Sequence, residues 1–385
     1  MANLDDDQTK TAPSADALNA AFEGAREYTV GIEEELMLLD RQTLEPVPRA
    51  AEVLSSVDAD ARFKPELPAS QIEIITEPHA SVLDAGGALM AARRDLAARA
   101  DESVRFVGAG VSPLGAGSGE LSAAARYEPI VREYGPVARR QLVCALQVHV
   151  SVPGADRSLA VYNQARSYLP WLAALAANGA FYEGRDTEFA SIRPKLSALL
   201  PRQGIPPAFA SWEQYADALA WGARTGVIPD PGSWWWELRP NPRFGTLEFR
   251  VPDSQSSVPD AVTVAAVIHA LVVWLAVNYD AGERPPVADT WRLDANRWSA
   301  CRHGVDGAMV DAHSGRRMDT RACLEQLLQT LAETASGLGA AGPLRRAAAM
   351  VRVNGAIGQR RAAAAGGAEA VARWLAERFL EPWPG

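Results

Sequence analysis

The chain has 385 residues, of which 48% are hydrophobic and 22% charged, a composition typical of a large globular protein and not of a disordered one. Its formal net charge of −9 leaves no excess of basic residues to neutralise a phosphate backbone, so we expect no nucleic-acid partner. The three cysteines, Cys144, Cys301 and Cys323, lack the short spacing of zinc or redox sites, which favours a reducing cytoplasm.

The N-terminal residues 1–25 show no sustained apolar period, and they are predicted to be a flexible tail ahead of a single domain over 26–385. The chain starts with acidic and polar residues, whereas a signal peptide needs a basic start and an apolar core. The most apolar run, 261–277, contains Thr263 and His269 and is short for a membrane span, so it predicts a buried core helix. We expect a cytoplasmic protein without a membrane partner.

Strands and helices alternate irregularly along the rest of the chain. Period-two patterns rich in β-branched residues predict strands at 27–40, 70–76, 104–111, 141–152, 233–240 and 245–251. Ala- and Leu-rich segments with helical spacing predict helices at 84–101, 157–179, 211–222, 260–278, 321–335, 343–353 and 367–380. Because this order lacks a regular strand–helix–strand repeat, it predicts an α+β fold with a largely antiparallel sheet.

The first predicted strand, GIEEELMLLD, contains three consecutive glutamates, and strand geometry predicts the face on which each one lies. Side chains alternate between the two faces of a strand, so Glu33 and Glu35 share one face, while Glu34, Ile32 and Leu36 lie on the other. Two carboxylates are therefore predicted to lie side by side. Replacement of Glu34 by Gln is expected to be milder than the same change at Glu33 or Glu35.

Later strands repeat this combination of a polar face and an apolar back. The polar faces carry Glu73 and Glu77 in SQIEIITEP, Gln147 and His149 in QVHVSV, and Glu248 and Arg250 in GTLEFRV. For any one strand an ordinary solvent face is the better explanation. Clustered carboxylates repel one another unless cations lie between them, and oxygen ligands suit Mg²⁺ or Mn²⁺ better than zinc. At this point a solvated face and a divalent-metal site both remain open.

Two further segments have the composition of a ligand site. WWWELRPNPRFGTLEFRV predicts a hairpin in which Glu237 and Arg239 could join Glu248 and Arg250 at one cleft. A structural salt bridge is the simpler explanation for Glu237 and Arg239, but an arginine beside bound metal can also stabilise a phosphoryl group in transfer. The segment 178–196 mixes arginines with aromatic residues, a composition suited to holding a carboxylate or phosphate.

The Gly-rich stretch 108–120 follows a predicted strand but matches neither a P-loop nor a convincing dinucleotide fingerprint.

Together these stretches resemble the type 2 glutamate–cysteine ligases, also called YbdK-like carboxylate–amine ligases. The resemblance covers about residues 28–307 in order, and it is carried by GIEEELMLLD, SQIEIITEPH, ARRQLVCALQVHVSV, ANGAFYEGRDTEFASIR, ELRPNPRFGTLEFRVPDSQ and NRWSACRHGVDG. It implies a glutamine-synthetase-like catalytic fold in which an antiparallel sheet, flanked by helices, forms a funnel around ATP and Mg²⁺ or Mn²⁺. The implied partners are small molecules, and the helical C-terminal region leaves room for a homodimer interface.

The resemblance also implies roles for individual residues. The implied metal ligands are Glu33, Glu35, Glu73, His149 and Glu248. Arg250 and Arg239 are assigned to the nucleotide, and Arg250 with Glu248 to catalysis. Asn178, Arg185 and Arg193 are assigned to the amino-acid pocket.

The implied reaction has two steps, in which ATP phosphorylates a carboxylate, such as the γ-carboxylate of glutamate, and an amine then attacks the acyl phosphate. The Gly-rich stretch or the GRDTEF loop is predicted to act as a lid that excludes water. Gln147 stands where the family commonly has His, and Glu188 where it commonly has Gly. These departures leave two alternatives open: a ligase for another acid and amine pair, or a catalytically weak protein that binds a nucleotide or an amino acid.

Overall fold

The computed structural model describes residues 12–57, 60–228 and 230–383. The α-helices in these residues are α1 (Ala15–Glu23), α2 (Ala50–Ser56), α3 (Val82–Arg99), α4 (Glu128–Tyr134), α5 (Ala155–Ala165), α6 (Leu169–Leu175), α7 (Arg193–Ser197), α8 (Trp212–Thr225), α9 (Val258–Asp280), α10 (Thr290–His303), α11 (Thr320–Thr330), α12 (Ala332–Gly337), α13 (Ala341–Arg352), α14 (Gly355–Ala363) and α15 (Gly367–Arg378). The strands are β1 (Val30–Asp40), β2 (Phe63–Pro65), β3 (Gln71–Ile75), β4 (Val104–Val107), β5 (Leu146–Ser151), β6 (Phe181–Tyr182), β7 (Arg185–Asp186), β8 (Leu238–Asn241), β9 (Thr246–Phe249), β10 (Ala308–Val310) and β11 (Arg317–Asp319).

The main sheet has the strand order β2-β3-β1-β5-β9-β8, and β4 also pairs with β1. Each of its pairings is antiparallel. The long strand β1 therefore lies at the centre, with β3 on one side and with β5 and then β4 on the other. This arrangement confirms the predicted α+β class and its antiparallel sheet.

The back face of the sheet packs on helices. Ile32 and Leu36 of β1 and Ile72 of β3 are fully buried in the main apolar cluster. The helix α9, whose neighbours include α3, α5 and α13, contributes most of its residues to the same cluster. It is long and apolar enough to cross a membrane, but 78% of its most apolar window is buried inside the protein. The prediction of a core helix at 261–277 is therefore confirmed.

The front face is divided between an apolar half and an acidic half. Near β4, Met37 and Leu39 are buried in a second apolar cluster that includes Val371 and Leu375 of α15. Glu33 and Glu35 lie on the same face of β1, beyond this cluster. The fold therefore covers one half of the face with helices and places acidic side chains on the other.

A helix lies within the predicted N-terminal tail. The Ser14 hydroxyl accepts a hydrogen bond from the backbone N–H of Ala17 at 3.2 Å and caps α1. Leu18 and Phe22, four residues apart, are fully buried, and Phe22 stacks on Trp212 with 4.7 Å between ring centroids. The prediction of a flexible tail is wrong for this helix because two apolar residues at helical spacing suffice to dock it. Residues 1–11 lie outside the described part of the chain.

Two of the predicted helices are divided. The segment predicted as 157–179 consists of α5, a short 3₁₀ segment and α6, and Pro170 stands in the first turn of α6. The segment predicted as 321–335 consists of α11 and α12. The helix α10 was not predicted, because its apolar residues are too few to produce a clear helical period.

Candidate active site

A cluster of carboxylates lies on the front face of the sheet. Glu35 and Glu73 are directly opposite each other on β1 and β3. Glu66, from the connection between β2 and β3, joins them, and carboxylate oxygens of the three residues lie within 4.8 Å of one another. Glu66 was missed by the sequence analysis because it is not in a strand, where alternation could have placed it. Glu77, predicted on the same face as Glu73, lies beyond the end of β3 and is exposed.

The electrostatics of these three residues favour a bound cation. Burial, followed by the charge of Glu66, raises the pKa of Glu35 to about 7. Burial and the neighbouring carboxylates raise the pKa of Glu73 well above its usual value, and burial also raises the pKa of Glu66. Carboxylates in this position hold protons near neutral pH unless a positive charge compensates them. Three clustered oxygen donors therefore fit a hard divalent cation such as Mg²⁺.

A second group of possible ligands surrounds His149. Its Nε2 lies 3.5 Å from Glu33 Oε1 and 4.0 Å from Glu248 Oε2, and its Nδ1 is 3.0 Å from the Thr246 hydroxyl. Within the described residues, Nε2 is buried and has no hydrogen-bond partner. An imidazole that is fixed at one nitrogen and free at the other, beside two carboxylates, has the form of a metal ligand.

The pKa shifts in this group show how closely its charges interact. Burial would raise the pKa of Glu33, but the close approach and the positive charge of His149 lower it overall. For His149, burial acts to lower the pKa, while Glu248 and Glu33 raise it and prevail. The imidazole and the carboxylates therefore stabilise each other's charged forms.

Two arginines hold Glu248. Arg250 Nη1 lies 2.6 Å from Glu248 Oε1, and Arg239 Nε lies 2.8 Å from Glu248 Oε2. Burial would raise the pKa of Glu248, but the two guanidinium groups hold it well below its usual range. Glu237 does not pair with Arg239. It forms an ion pair with Arg297 of α10 at 2.7 Å, so both hairpin residues make structural pairs, but with other partners.

Gln147 connects the carboxylates to an arginine. Its Nε2 donates hydrogen bonds to Glu35 at 2.8 Å and to Glu73 at 3.3 Å. Its Oε1 accepts a hydrogen bond from Arg250. One amide therefore joins the acidic cluster to the guanidinium of Arg250.

A cavity of about 270 Å³ opens beside Glu35 and Arg250. Its other charged and aromatic lining residues are Arg193, Lys195, Trp235, Glu237, Asp294, Arg297 and Trp298. Asp294, Arg297 and Trp298 come from α10, a helix that the sequence pattern did not predict, and none of the three had been assigned a role in the site. The cavity joins the acidic face to a space large enough for a small substrate.

The three residues predicted for the amino-acid pocket lie in different places. Arg193 lines the cavity, and its Nε pairs with Asp253 at 2.7 Å. Arg185 does not line it and has 75% of its side chain exposed. Asn178 is fully buried; its amide donates to the Gly108 and Ser254 carbonyls, and its oxygen accepts from Gln359. The prediction of Asn178 as a substrate ligand is wrong, because both polar atoms of its side chain are hydrogen-bonded to other protein groups.

The two segments predicted as lids are packed against each other. The Gly184 N–H donates to the Pro113 carbonyl at 2.9 Å, so the β6–β7 hairpin contacts the Gly-rich stretch 108–120. Arg302 pairs with Glu188 at 2.8 Å, and Arg360 pairs with Asp186 at the same distance. Glu188 therefore forms a surface ion pair with α10, and the hairpin is attached to two helices.

Comparison with known proteins gives consistent results. A family model described as glutamate-cysteine ligase family 2 matches residues 29–375. The chain is 34% identical over 367 residues to "Putative glutamate--cysteine ligase 2-3" of Rubrobacter xylanophilus, covering 94% of this chain and 99% of that protein. It is 33% identical over 316 residues to "Putative glutamate--cysteine ligase 2" of Roseiflexus sp., covering 81% and 83% respectively.

Solved structures show the same fold. The glutamate–cysteine ligase of Francisella tularensis in complex with AMP aligns with a TM-score of 0.67 at 11% identity, covering 94% of this chain and 91% of that chain. The bifunctional glutathione synthetase from Pasteurella multocida aligns with a TM-score of 0.66 at 15% identity, covering 95% and 53% respectively. The catalytic fold implied by the sequence resemblance is confirmed.

Proposed function

The chain belongs to glutamate–cysteine ligase family 2 and is an ATP-dependent carboxylate–amine ligase, and we propose that it joins glutamate to cysteine through an acyl phosphate. The observation that carries the proposal is the front face of the sheet, where two groups of buried acidic side chains surround Gln147 and Arg250. A cavity of small-substrate size opens beside this face. Three buried free thiols support a cytoplasmic location.

We propose that the two groups hold divalent cations, Mg²⁺ or Mn²⁺. Glu35, Glu66 and Glu73 would form one set of ligands. Glu33, His149 and Glu248 would form the other. Cations bound there would neutralise the charge of a triphosphate and orient it. Two observations support this fit: the raised pKa values of Glu35, Glu66 and Glu73, and the buried Nε2 of His149, which has no hydrogen-bond partner among the described residues.

The protein's own groups then have defined tasks. Arg250 supplies a fixed positive charge beside the acidic face and stabilises the negative charge of the phosphoryl group as it moves to the substrate carboxylate. Glu248 and Gln147 hold this guanidinium in place. Arg239, paired with the other oxygen of Glu248, adds a second positive charge near the nucleotide. The buried face limits access of water to a hydrolysable acyl phosphate.

The test is ADP release from ATP and Mg²⁺ across a panel of acids and amines, with the joined product identified by mass. We expect release to require one acid and one amine, with glutamate and cysteine giving the highest kcat/KM. A different best pair would replace our substrate assignment while keeping the ligase chemistry. Binding of ATP without ADP release from any pair would contradict the proposed function and favour a catalytically weak binding protein.

A further inference from the structure

The cavity beside Arg250 contains two charged side chains that the fold leaves unpaired. Three of its arginines are committed: Arg193 pairs with Asp253, Arg250 with Glu248, and Arg297 with Glu237. Among residues 12–57, 60–228 and 230–383, neither Lys195 nor Asp294 has an ion-pair or hydrogen-bond partner for its side chain. One free cation and one free anion therefore face the same small space.

Lys195 and Asp294 are exposed residues of α7 and α10 that line the cavity. Lys195, in α7, holds its Nζ 4.7 Å from the centroid of the Trp298 ring. Asp294 and Trp298 are four residues apart on α10, so both lie on the same side of that helix. Burial and the charge of Glu237 raise the pKa of Asp294, while Arg297 and Lys195 act in the opposite direction. The ammonium of Lys195 and the carboxylate of Asp294 thus interact electrostatically but do not form an ion pair.

We infer that Lys195 and Asp294 bind the α-carboxylate and the α-ammonium, respectively, of the amino acid whose side-chain carboxylate is activated at Arg250. This inference rests on the proposed function, which places the reacting carboxylate beside Arg250. A zwitterion supplies one anion and one cation, which complement the ammonium of Lys195 and the carboxylate of Asp294. Its volume, about 270 Å³, lies just below the range of about 300–1,000 Å³ typical of drug-sized ligands and suits a single amino acid.

The two charges should also discriminate against substrate analogues that lack one of the complementary charges. A dicarboxylate without an amino group would leave Asp294 unpaired beside a second anion. An amino acid with an amidated α-carboxylate would leave Lys195 without its partner. Because each analogue lacks one of the two charges that the site would pair, both should bind more weakly than the parent amino acid.

The experiment compares Lys195→Met and Asp294→Asn with two control variants, Arg224→Gln and Asp217→Asn, which remove the same charges from exposed positions of α8 outside the cavity. ADP release is measured with glutamate, with glutarate and with glutamate α-amide. We expect Lys195→Met to raise KM for glutamate by about 10-fold or more, with KM for ATP unchanged, and to abolish the preference for glutamate over its α-amide.

For Asp294→Asn, we expect the preference for glutamate over glutarate to fall by a similar factor, while both α8 controls behave as wild type. Wild-type KM and wild-type discrimination in both cavity variants would overturn the inference. If the wild-type protein releases no ADP at all, the proposed function fails. In that case glutamate binding can still be measured by the change in tryptophan fluorescence, because Trp298 lines the cavity. Weaker glutamate binding in both variants supports the inference, and unchanged binding overturns it.

Discussion

On the back face of β1, Glu34 is fully buried and forms an ion pair with Arg93 of α3 at 2.6 Å. On the front face, Glu35 is also buried, but its carboxylate neighbours are Glu66 and Glu73, whose negative charges oppose its own. Adjacent residues of one strand therefore hold carboxylates in opposite situations. Where the fold supplies a close counter-charge, the carboxylate stabilises the structure. In the cluster the fold compensates the carboxylates only in part, through Arg126 at 3.8 Å from Glu66, and a bound cation can supply the remaining positive charge.

The largest expected effect concerns the back face. Arg93 also donates hydrogen bonds to the Gln255 and Phe379 carbonyls, so it joins the sheet to the C-terminal segment. Arg93→Met leaves Glu34 buried without a partner and should lower the free energy of unfolding by about 3–5 kcal/mol. Urea denaturation measures this change. Arg94→Met, at an exposed neighbouring position of α3, should change stability by less than about 0.5 kcal/mol; equal losses in both variants would remove the special role of Arg93.

On the front face the corresponding change should reduce activity and leave the fold intact. Glu66→Gln replaces one of the three clustered carboxylates by a neutral amide, which is a weaker metal ligand, and should lower kcat/KM by at least about 100-fold. It removes the repulsion from Glu35 and Glu73 but also the 3.8 Å ion pair with Arg126, so the metal-free protein should remain folded with a stability close to that of the wild type. Glu77→Gln, at the exposed position beyond β3, is the matched control and should retain full activity. Wild-type activity in Glu66→Gln would exclude this residue from the site.

The pH dependence of stability should also distinguish the two faces. The pKa of Glu35 is about 7 in the fold and 4.5 when unperturbed, so between these values the folded state binds more protons than the unfolded state. Its contribution to stability is therefore greatest below about pH 4.5 and is lost as the pH rises through 7. In EDTA, the Tm of the wild type should fall between pH 5 and pH 8, and Glu35→Gln should reduce that fall. The same slope in both proteins would contradict the shift.

The smallest effect is expected outside the cavity. Arg185 is exposed, and in the described part of the chain its one ion pair is with Glu183 of the same hairpin, at 3.2 Å. Arg185→Ala should change stability by less than about 0.5 kcal/mol and leave KM for the amino acid unchanged. Arg193→Ala, within the cavity, should raise that KM and leave Asp253 without its cation. A large increase in KM for the amino acid in Arg185→Ala would show that Arg185 contributes to substrate binding and would contradict its placement outside the pocket.

The sequence predicted the acidic face well because a strand alternates strictly between its two sides. Alternation placed Glu33, Glu35 and Glu73 on one side before any pairing was known, and the register then brought Glu35 opposite Glu73. The same rule placed His149 and Glu248, which are cross-strand neighbours on β5 and β9. Because strand alternation is a local property of the backbone, it can be recognised from the sequence without knowledge of tertiary contacts.

Features that depend on long-range contacts were not predictable in this way. Glu66 reaches the cluster from a connection with no period, and Arg93 lies 59 residues from the Glu34 that it neutralises. Asn178 has the composition of a ligand residue, but its amide is used by carbonyls 70 and 76 residues away in sequence. In loops, composition indicates polarity, and only tertiary contacts decide whether a polar group meets a ligand or the protein.

The most direct test of the comparison is the activity of Glu33→Gln, Glu34→Gln and Glu35→Gln, measured as ADP release per folded molecule. The two front-face variants should lose at least about 100-fold in kcat/KM while remaining folded. Glu34→Gln should lose stability through Arg93 and keep most of its activity per folded molecule. Equal loss of activity in all three variants would contradict the division of β1 into a structural face and a catalytic face.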